Sequence, residues 1–297
     1  KVGQKRAANL KTLTRVPLYL KCAFFVFDNL VFRNIRRALG IDKCRWLSTA
    51  AAPIAPDLID WYWSIGKPMY EVYGQTECTG IATANLLDDF RIGSVGKAIE
   101  DVEVVLSEED EILIRSPGVI KGYWNKAEKT AETIRQGWLH TGDVGRIDDD
   151  GFIYIIDRMK DIIITAGGKN ITPSEIENQL KFSPYVTDAV VVGDKRPYLT
   201  CLVMIDDENV TKYAQDNDVP FTNYTSLCHT QEVQDLVHGE IEKVNVKFAR
   251  VETIKKFRLI DQLLDAEDDE LTPTQKLKRK VVNEKYADLI DGMYQGG

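Results

Sequence analysis

The sequence predicts two folded parts in succession, α/β and then α+β, on three observations. Between Trp46 and about Ala84, short apolar runs alternate with turn residues at Pro53, Gly66 and Gly74, the pattern of an α/β layer. From Gly93 to Asp157 the runs are short and β-like, at 102–106, 111–115 and 152–156. Gly and Asp turns separate them, which predicts a small β-barrel or sheet subdomain. After the polar junction Arg158-Met159-Lys160-Asp161 the order becomes strand, helix, strand, strand, a small α+β domain, and the domain boundary is placed there.

Individual elements follow from local chemistry. Asp150-Gly151 marks a hairpin. Residues 162–165 are β-branched, and Thr172-Pro173-Ser174-Glu175 then offers an N-cap, a proline at the first helical position and a capping-box glutamate, so a helix starts at Pro173. Residues 189–192 and 200–205 read as paired strands, 231–248 as an amphipathic helix and the acidic run 265–270 as a solvated loop. Residues 16–39 are rich in Leu, Phe and Val, but Asp28, Arg33, Arg36 and Arg37 make them too polar to span a bilayer. Leu20, Phe24, Phe27, Val31, Ile35 and Leu39 recur at spacings of three and four. They form an apolar helical face expected in the core, with contact to a membrane surface as the alternative.

With 297 residues, 44% of them hydrophobic, the chain can bury a sizeable core. Its 38 Lys and Arg against 46 Asp and Glu give a net charge of −8, which argues against a non-specific nucleic-acid binder; their uneven placement leaves room for a local basic patch. The five cysteines, Cys22, Cys44, Cys78, Cys201 and Cys228, form no C-x-x-C pair and fit the reduced thiols of a cytoplasmic protein. His140, His229 and His238 are far apart, and no zinc spacing is present. The sequence begins at Lys1, not Met, and carries no signal peptide, so a start inside a longer chain is expected.

Five motifs stand in order: Tyr73-Gly-Gln-Thr-Glu77, His140-Thr-Gly-Asp143, Asp157-Arg-Met-Lys-Asp161, Gly167-Gly168 and Leu271-Thr-Pro-Thr-Gln-Lys276. Taken singly, Y-G-x-T-E reads equally as a turn with a buried tyrosine, and T-G-D as an ordinary turn. Together they resemble the adenylate-forming superfamily over essentially the whole chain. Leu30-Val-Phe-Arg33, the segment 48–53 and Lys256-Phe-Arg258 are similar to long-chain acyl-CoA synthetases in particular. The resemblance implies the rear part of a large adenylation domain at 1–157, a hinge at 158–160 and a small mobile C-terminal domain at 161–297. It implies ligation of a fatty acid to coenzyme A with ATP and Mg²⁺, through acyl-AMP. The alternatives are a ligase loading acyl-AMP onto a carrier protein and an inactive, truncated nucleotide-binding module. Peripheral contact with a membrane is a further expectation; oligomeric state is left open.

Site residues are carried over by motif. Tyr73 offers a flat face for adenine, next to Gly74; Thr76 offers a hydroxyl for phosphate, and Glu77 is a hard oxygen ligand for Mg²⁺ carried with the nucleotide. Ala51, Ala52 and Pro53 match the small-residue segment beside adenine, although Thr49-Ala50 stands where the family commonly has glycine. Alanine next to proline also reads as a helix start. Asp143 and Arg158 match the ribose contacts, Lys160 the hinge, and Gly167 and Gly168 the backbone lining the pantetheine tunnel. Lys276 matches the catalytic lysine. Periodicity does not separate it from Lys278 in a run that also reads as a solvated face, whereas the motif does. Gly-Gly-Lys169 is no Walker motif, since Asn170 follows it, and the superfamily's Ser/Thr/Gly-rich phosphate loop is not among these residues.

Overall fold

The computed structural model describes residues 1–12, 14–52, 54–262, 269–271 and 278–295, and it divides into two units, Lys1–Met159 and Lys160–Gly297. In the first unit, strand Leu47–Thr49 lies parallel to Met69–Tyr73, with Thr49 opposite Glu71. Parallel neighbours require a crossover, and helix Pro56–Ser64 supplies it. Pro56 sits in the first helical turn, where its missing N–H has no intrahelical partner to lose. Ile59 and Trp63 turn inward; Trp63 stacks on Phe90 at 5.1 Å between centroids and donates its indole N–H to the Met69 carbonyl at 3.1 Å. Thr83–Ala84 and Lys97–Ala98 extend this sheet antiparallel.

The second sheet of this unit contains Glu103–Leu106, Glu111–Arg115, Ile134–Arg135, Trp138–Ile147 and Ile153–Arg158, all antiparallel. The ten-residue strand Trp138–Ile147 carries Ile134–Arg135 at one end and Ile153–Arg158 at the other. Because those two share one partner, a line across the sheet meets too few strands for its edges to curl round and pair. Among the described residues the sheet stays open, and the expected small β-barrel is not formed. The Asp150-Gly151 hairpin is present: the Gly151 N–H donates to the Asp148 carbonyl at 2.9 Å, with Gly151 at a φ of 84°.

Residues 18–38 are helical, as Leu18–Phe27, a π-helical turn Asp28–Phe32 and Arg33–Ala38. The expected core face is only partly buried: Leu20 is covered, but Phe27, Val31 and Leu39 are exposed. A π turn holds more residues than an α turn, so the stripe read at spacings of three and four loses phase across it. The inner side is nonetheless well held. The Arg6 guanidinium lies 4.2 Å over the Phe24 ring, and Arg36 donates to Asp28 at 2.5 and 2.9 Å and to the Ile65 carbonyl at 2.7 Å. No helix among the described residues is long and apolar enough to cross a membrane.

The second unit is built on strand Leu199–Ile205, antiparallel to Val186–Val192 and parallel to Ile254–Leu259. Every residue of Leu199–Ile205 is buried. Side chains alternate along it: Leu199, Cys201, Val203 and Ile205 join one core with helices Pro173–Lys181 and Gln231–Asn245, while Leu202 and Met204 join another with Val282, Ile290 and Met293. The helix at Pro173 begins where its proline predicts, although the Thr172 side chain makes no cap hydrogen bond. Glu177, on helix Pro173–Lys181, accepts from the Val191 N–H at 2.7 Å and pairs with Arg279 at 2.9 Å, so a buried carboxylate is partnered out of water. Truncating Leu202→Ala, a side chain with no exposed surface, is expected to cost about 2–5 kcal/mol through the cavity it leaves. Urea unfolding followed by circular dichroism measures it.

Candidate active site

The two parallel strands of the first unit end at the same edge. Leu47–Thr49 runs out into Ala50-Ala51-Ala52, and Met69–Tyr73 into Gly74-Gln75-Thr76-Glu77. Ligands of open α/β sheets bind beyond such carboxyl ends. Ala51 and Ala52 are exposed there, with Ala51 at a φ of 74°, a conformation that favours glycine. Pro53 lies outside the described residues. Gly74 is dictated by space, since a Cβ would stand 1.6 Å from the Gly80 carbonyl oxygen. The chain then turns through the 3-10 helix Thr76–Cys78, leaving Thr76 exposed and Glu77 half-buried.

His140-Thr-Gly-Asp143 is not a turn but the middle of strand Trp138–Ile147. Strand alternation puts Leu139, Thr141, Asp143 and Gly145 on its buried side. Asp143 is 4% exposed and is the hub of the site. One carboxylate oxygen accepts from the Tyr73 hydroxyl at 2.6 Å and from Gln75 Nε2 at 2.7 Å; the other accepts from Arg158 Nε at 2.7 Å. Arg158 is the residue opposite Asp143 in the ladder with Ile153–Arg158, so register delivers this pair. Burial, then the Asp143 charge, push the Tyr73 phenol up, and the tyrosine remains a donor. With about four acceptor positions on a carboxylate and three taken, Asp143 has one left for a ligand.

The structure thus brings Tyr73, Asp143 and Arg158 together and sets Gly74, Thr76 and Glu77 in the adjoining turn. Lys160 begins the second unit and is exposed. Gly167 and Gly168, also exposed, lie in the hairpin between Ile163–Ile164 and Asn170–Ile171, with Gly168 at a φ of 73°. Lys276 lies outside the described residues. Its competitor Lys278 donates to the Asp269 carbonyl at 2.9 Å.

Two residues of the site, Gln75 and Tyr123, and one beside it, Glu71, escaped sequence reasoning. Gln75 lies inside a quoted motif, yet its amide reaches Asp143 and also the Thr141 carbonyl at 2.9 Å. Tyr123 donates to Glu77 Oε1 at 2.7 Å, and no local pattern links positions 46 residues apart. Glu71 precedes Tyr73 by two residues on the same strand. Burial pushes its carboxyl up to about 7 against the pull of the Gly93 N–H, which donates to it at 2.9 Å.

Two outcomes are expected. Asp143→Ala removes the acceptor that three donors share and should destabilise the chain by about 3–5 kcal/mol, whereas Arg158→Ala, on a half-exposed guanidinium, should cost roughly 1 kcal/mol or less; urea midpoints distinguish them. Glu71 gives a pH dependence. Below about 4.5 its carboxyl is protonated in both folded and unfolded chains. Between there and 7 the unfolded chain ionises first and stability falls as pH rises, and above 7 the loss is complete. Glu71→Gln should flatten that part of the profile, read from denaturation midpoints at pH 5 and 8.

Comparison with known proteins fits this geometry. Residues 17–124 match the family model for AMP-binding enzymes, and residues 160–297 match that for the AMP-binding enzyme C-terminal domain. The long-chain-fatty-acid–CoA ligase FadD15 of Mycobacterium bovis is 37% identical over 278 residues, covering 93% of this chain and 46% of the relative. The adenylation domain of a carboxylate reductase from Mycobacterium chelonae superposes with a TM-score of 0.72 at 20% identity, over 99% of this chain and 44% of that one. O-Succinylbenzoate coenzyme A synthetase from Bacillus subtilis, solved with ATP and a magnesium ion, gives 0.60 at 25% identity, over 80% of this chain and 46% of that one. The chain therefore spans about half the length of the relatives it matches. With both AMP-binding models matched in order along it, the chain belongs to the adenylate-forming, AMP-binding enzyme family.

Proposed function

We propose that this chain forms part of an AMP-forming acyl-CoA synthetase acting on long-chain fatty acids. The observation that carries the reading is the convergence of Tyr73, Gln75 and Arg158 on the buried Asp143, beyond the carboxyl ends of two parallel strands, in a member of an ATP-using family. A ribose diol offers two hydroxyl donors and Asp143 keeps one open acceptor position, so the second must displace a donor. Arg158 is the cheapest to move, because its guanidinium is half-exposed and can be repaid by water or by the ribose itself. Tyr73 then holds the carboxylate from below and presents its ring to adenine.

In the reaction proposed, a fatty-acid carboxylate attacks the α-phosphorus of ATP and pyrophosphate leaves. The thiolate of coenzyme A next attacks the acyl carbonyl and AMP leaves. Thr76 and Glu77 lie at the strand end where phosphates would follow the ribose. Mg²⁺ would neutralise charge on the departing pyrophosphate. Glu77 fits it as a single carboxylate, oriented by the Tyr123 hydroxyl. Among the described residues no group of three or more His, Cys, Asp or Glu could hold an ion, so its other ligands would be nucleotide and water. Lys276 is assigned to the carboxylate and α-phosphate oxygens during the first step. Lys160 is assigned to the pivot of a C-terminal domain at 161–297, and Gly167 and Gly168 to the pantetheine path in the second step.

Calorimetry of the 297-residue chain against AMP and a non-hydrolysable acyl-AMP analogue tests the nucleoside contacts. Weak binding is expected, reduced tenfold or more by Arg158→Ala and unchanged by Lys278→Ala. In a chain extended to the relatives' full length, Lys276→Ala should abolish fatty-acid-dependent pyrophosphate release, removing several kcal/mol of transition-state stabilisation, yet spare thioester formation from supplied acyl-AMP. Equal loss in both half-reactions would remove Lys276 from the role given to it.

A further inference from the structure

Gly167 and Gly168 have no side chains with which to anchor themselves, so their backbone has to be placed by what surrounds it. The strands leading to them, Ile163–Ile164 and Asn170–Ile171, are two residues each, and a two-stranded hairpin so short does not hold itself in water. Ile163 and Ile171 are buried and fasten its base. Nearer the tip it is fastened by hydrogen bonds to a neighbouring turn. The Ile164 N–H donates to Asp194 Oδ1 at 3.2 Å, the Lys195 N–H to the Ile164 carbonyl at 2.8 Å, and the Ala166 N–H to the Arg196 carbonyl at 2.9 Å.

That turn is tight. The Arg196 N–H closes it on the Gly193 carbonyl at 3.0 Å, with Lys195 at a φ of 57°, which a residue with a side chain disfavours. Helix Ala287–Tyr294, buried through Ile290 and Met293 in one core with Leu202 and Met204, grips it. The Asp291 carboxylate pairs with the Arg196 guanidinium, which also lies 4.7 Å from the centre of the Tyr294 ring. The Tyr198 hydroxyl donates to the Met293 carbonyl at 3.0 Å, and the Tyr198 and Tyr294 rings are 5.1 Å apart. The Tyr294 hydroxyl divides its proton between the Val192 and Tyr198 carbonyls, both at 3.1 Å, so the Thr200 hydroxyl at 3.0 Å donates to it. The Arg196–Asp291 pair is half-exposed and adds little stability. What it fixes is where the turn stands, and with the turn Ala166, one residue before Gly167.

We propose that Asp291 and Tyr294 are positioning residues for the thioester-forming step. Through Arg196 and Tyr198 they set the turn at 193–196, and the turn sets the Gly167-Gly168 backbone. This rests on the reading that gives those glycines the pantetheine path. Backbone beside a narrow path tolerates little displacement, so loosening the helix contact misplaces the thiol and slows its attack on the acyl carbonyl. Attack on the α-phosphorus is left alone, because every contact in the series lies within the second unit and none involves Tyr73, Asp143 or Arg158.

The first experiment is amide hydrogen exchange on the 297-residue chain. In Asp291→Ala with Tyr294→Phe, the Ile164 and Ala166 amides should exchange at least about tenfold faster than in the parent, while the buried Val203 amide keeps its rate. The second separates the half-reactions in a chain extended to the relatives' full length. Each single variant should raise KM for coenzyme A about fivefold, and the pair about tenfold or more, with fatty-acid-dependent pyrophosphate release within about twofold of the parent. Asp291→Glu, which keeps the charge, should restore most of the loss made by Asp291→Ala. Unchanged exchange at Ile164 and Ala166, or an equal fall in both half-reactions, would overturn the proposal. Gly168→Val, at a φ of 73°, separates the proposal from the reading beneath it. If it slows thioester formation and the helix variants do not, the proposal alone fails. If it leaves coenzyme A kinetics unchanged, the pantetheine path is misplaced and the proposal falls with it.

Discussion

A carboxylate almost wholly out of water is tolerable only when donors surround it, and Asp143 is the group on which the first unit's second sheet and its parallel edge both depend. Its three donors come from three segments: Tyr73 at the end of a parallel strand, Gln75 in the turn that follows, and Arg158 at the end of an antiparallel one. The strand carrying Asp143 is itself fastened from the neighbouring strand. The Thr141 hydroxyl accepts the Asp143 N–H at 3.1 Å and donates to the Ile112 carbonyl at 2.7 Å, while Glu111 takes the Gly142 N–H at 2.9 Å and His140 Nδ1 at 2.7 Å. Satisfying one buried charge therefore fixes how two sheets meet. It also means that only one acceptor position of Asp143 is open, so a diol that donates twice must exchange with a donor already in place.

The same economy of space governs the turn after Tyr73. The Gly80 carbonyl approaches Gly74 so closely that any side chain would collide with it, and the Cys78 thiol is tied to the Gln75 backbone at 3.2 Å. Outside that turn the Thr79 hydroxyl donates to the Gly118 carbonyl and the Ile120 N–H reaches the Glu77 carbonyl at 2.9 Å. Thr76 and Glu77 thus stand on a loop held at both ends, with Tyr123 fixing one carboxylate oxygen of Glu77. Rigid placement is what aligning charged reactants demands, because small errors of position are costly in rate.

How much of this could be read beforehand depends on whether local chemistry or long-range pairing decides. Pro173, Asp150-Gly151 and the apolar runs at 189–192 and 200–205 mark their elements because proline geometry, turn chemistry and β-branching act within a few residues. The strand through His140-Thr-Gly-Asp143 was hidden, since its buried side reads Leu139, Thr141, Asp143, Gly145, which is no hydrophobic alternation at all. There burial is imposed by hydrogen-bond partners and by the crowding of Gly145 against Ile112, which only the fold assembles. Closure of the sheet was equally unreadable, because whether two short strands share one partner is a matter of register. Among the site residues, Tyr73, Asp143 and Arg158 were legible through motifs. Tyr123 was not, its meeting with Glu77 being set by the path of the intervening chain.

Helix 18–38 shows the reverse failure, in which a local pattern was visible but pointed the wrong way. Positions 20, 24, 27, 31, 35 and 39 keep helical spacing, and a straight α-helix would have buried them together. The π turn at Asp28–Phe32 adds length to one turn, and its first residue, Asp28, pairs across it with Arg36, eight residues on. That pair, with Arg36 also reaching the Ile65 carbonyl, pins the second half of the helix to the core through a cation where an apolar contact was expected. The apolar side chains of the first half consequently divide between inner and outer faces, and those turned outward lie within the chain's most basic segment. A helix that packs through ion pairs on one side is free to keep hydrophobic side chains on the other.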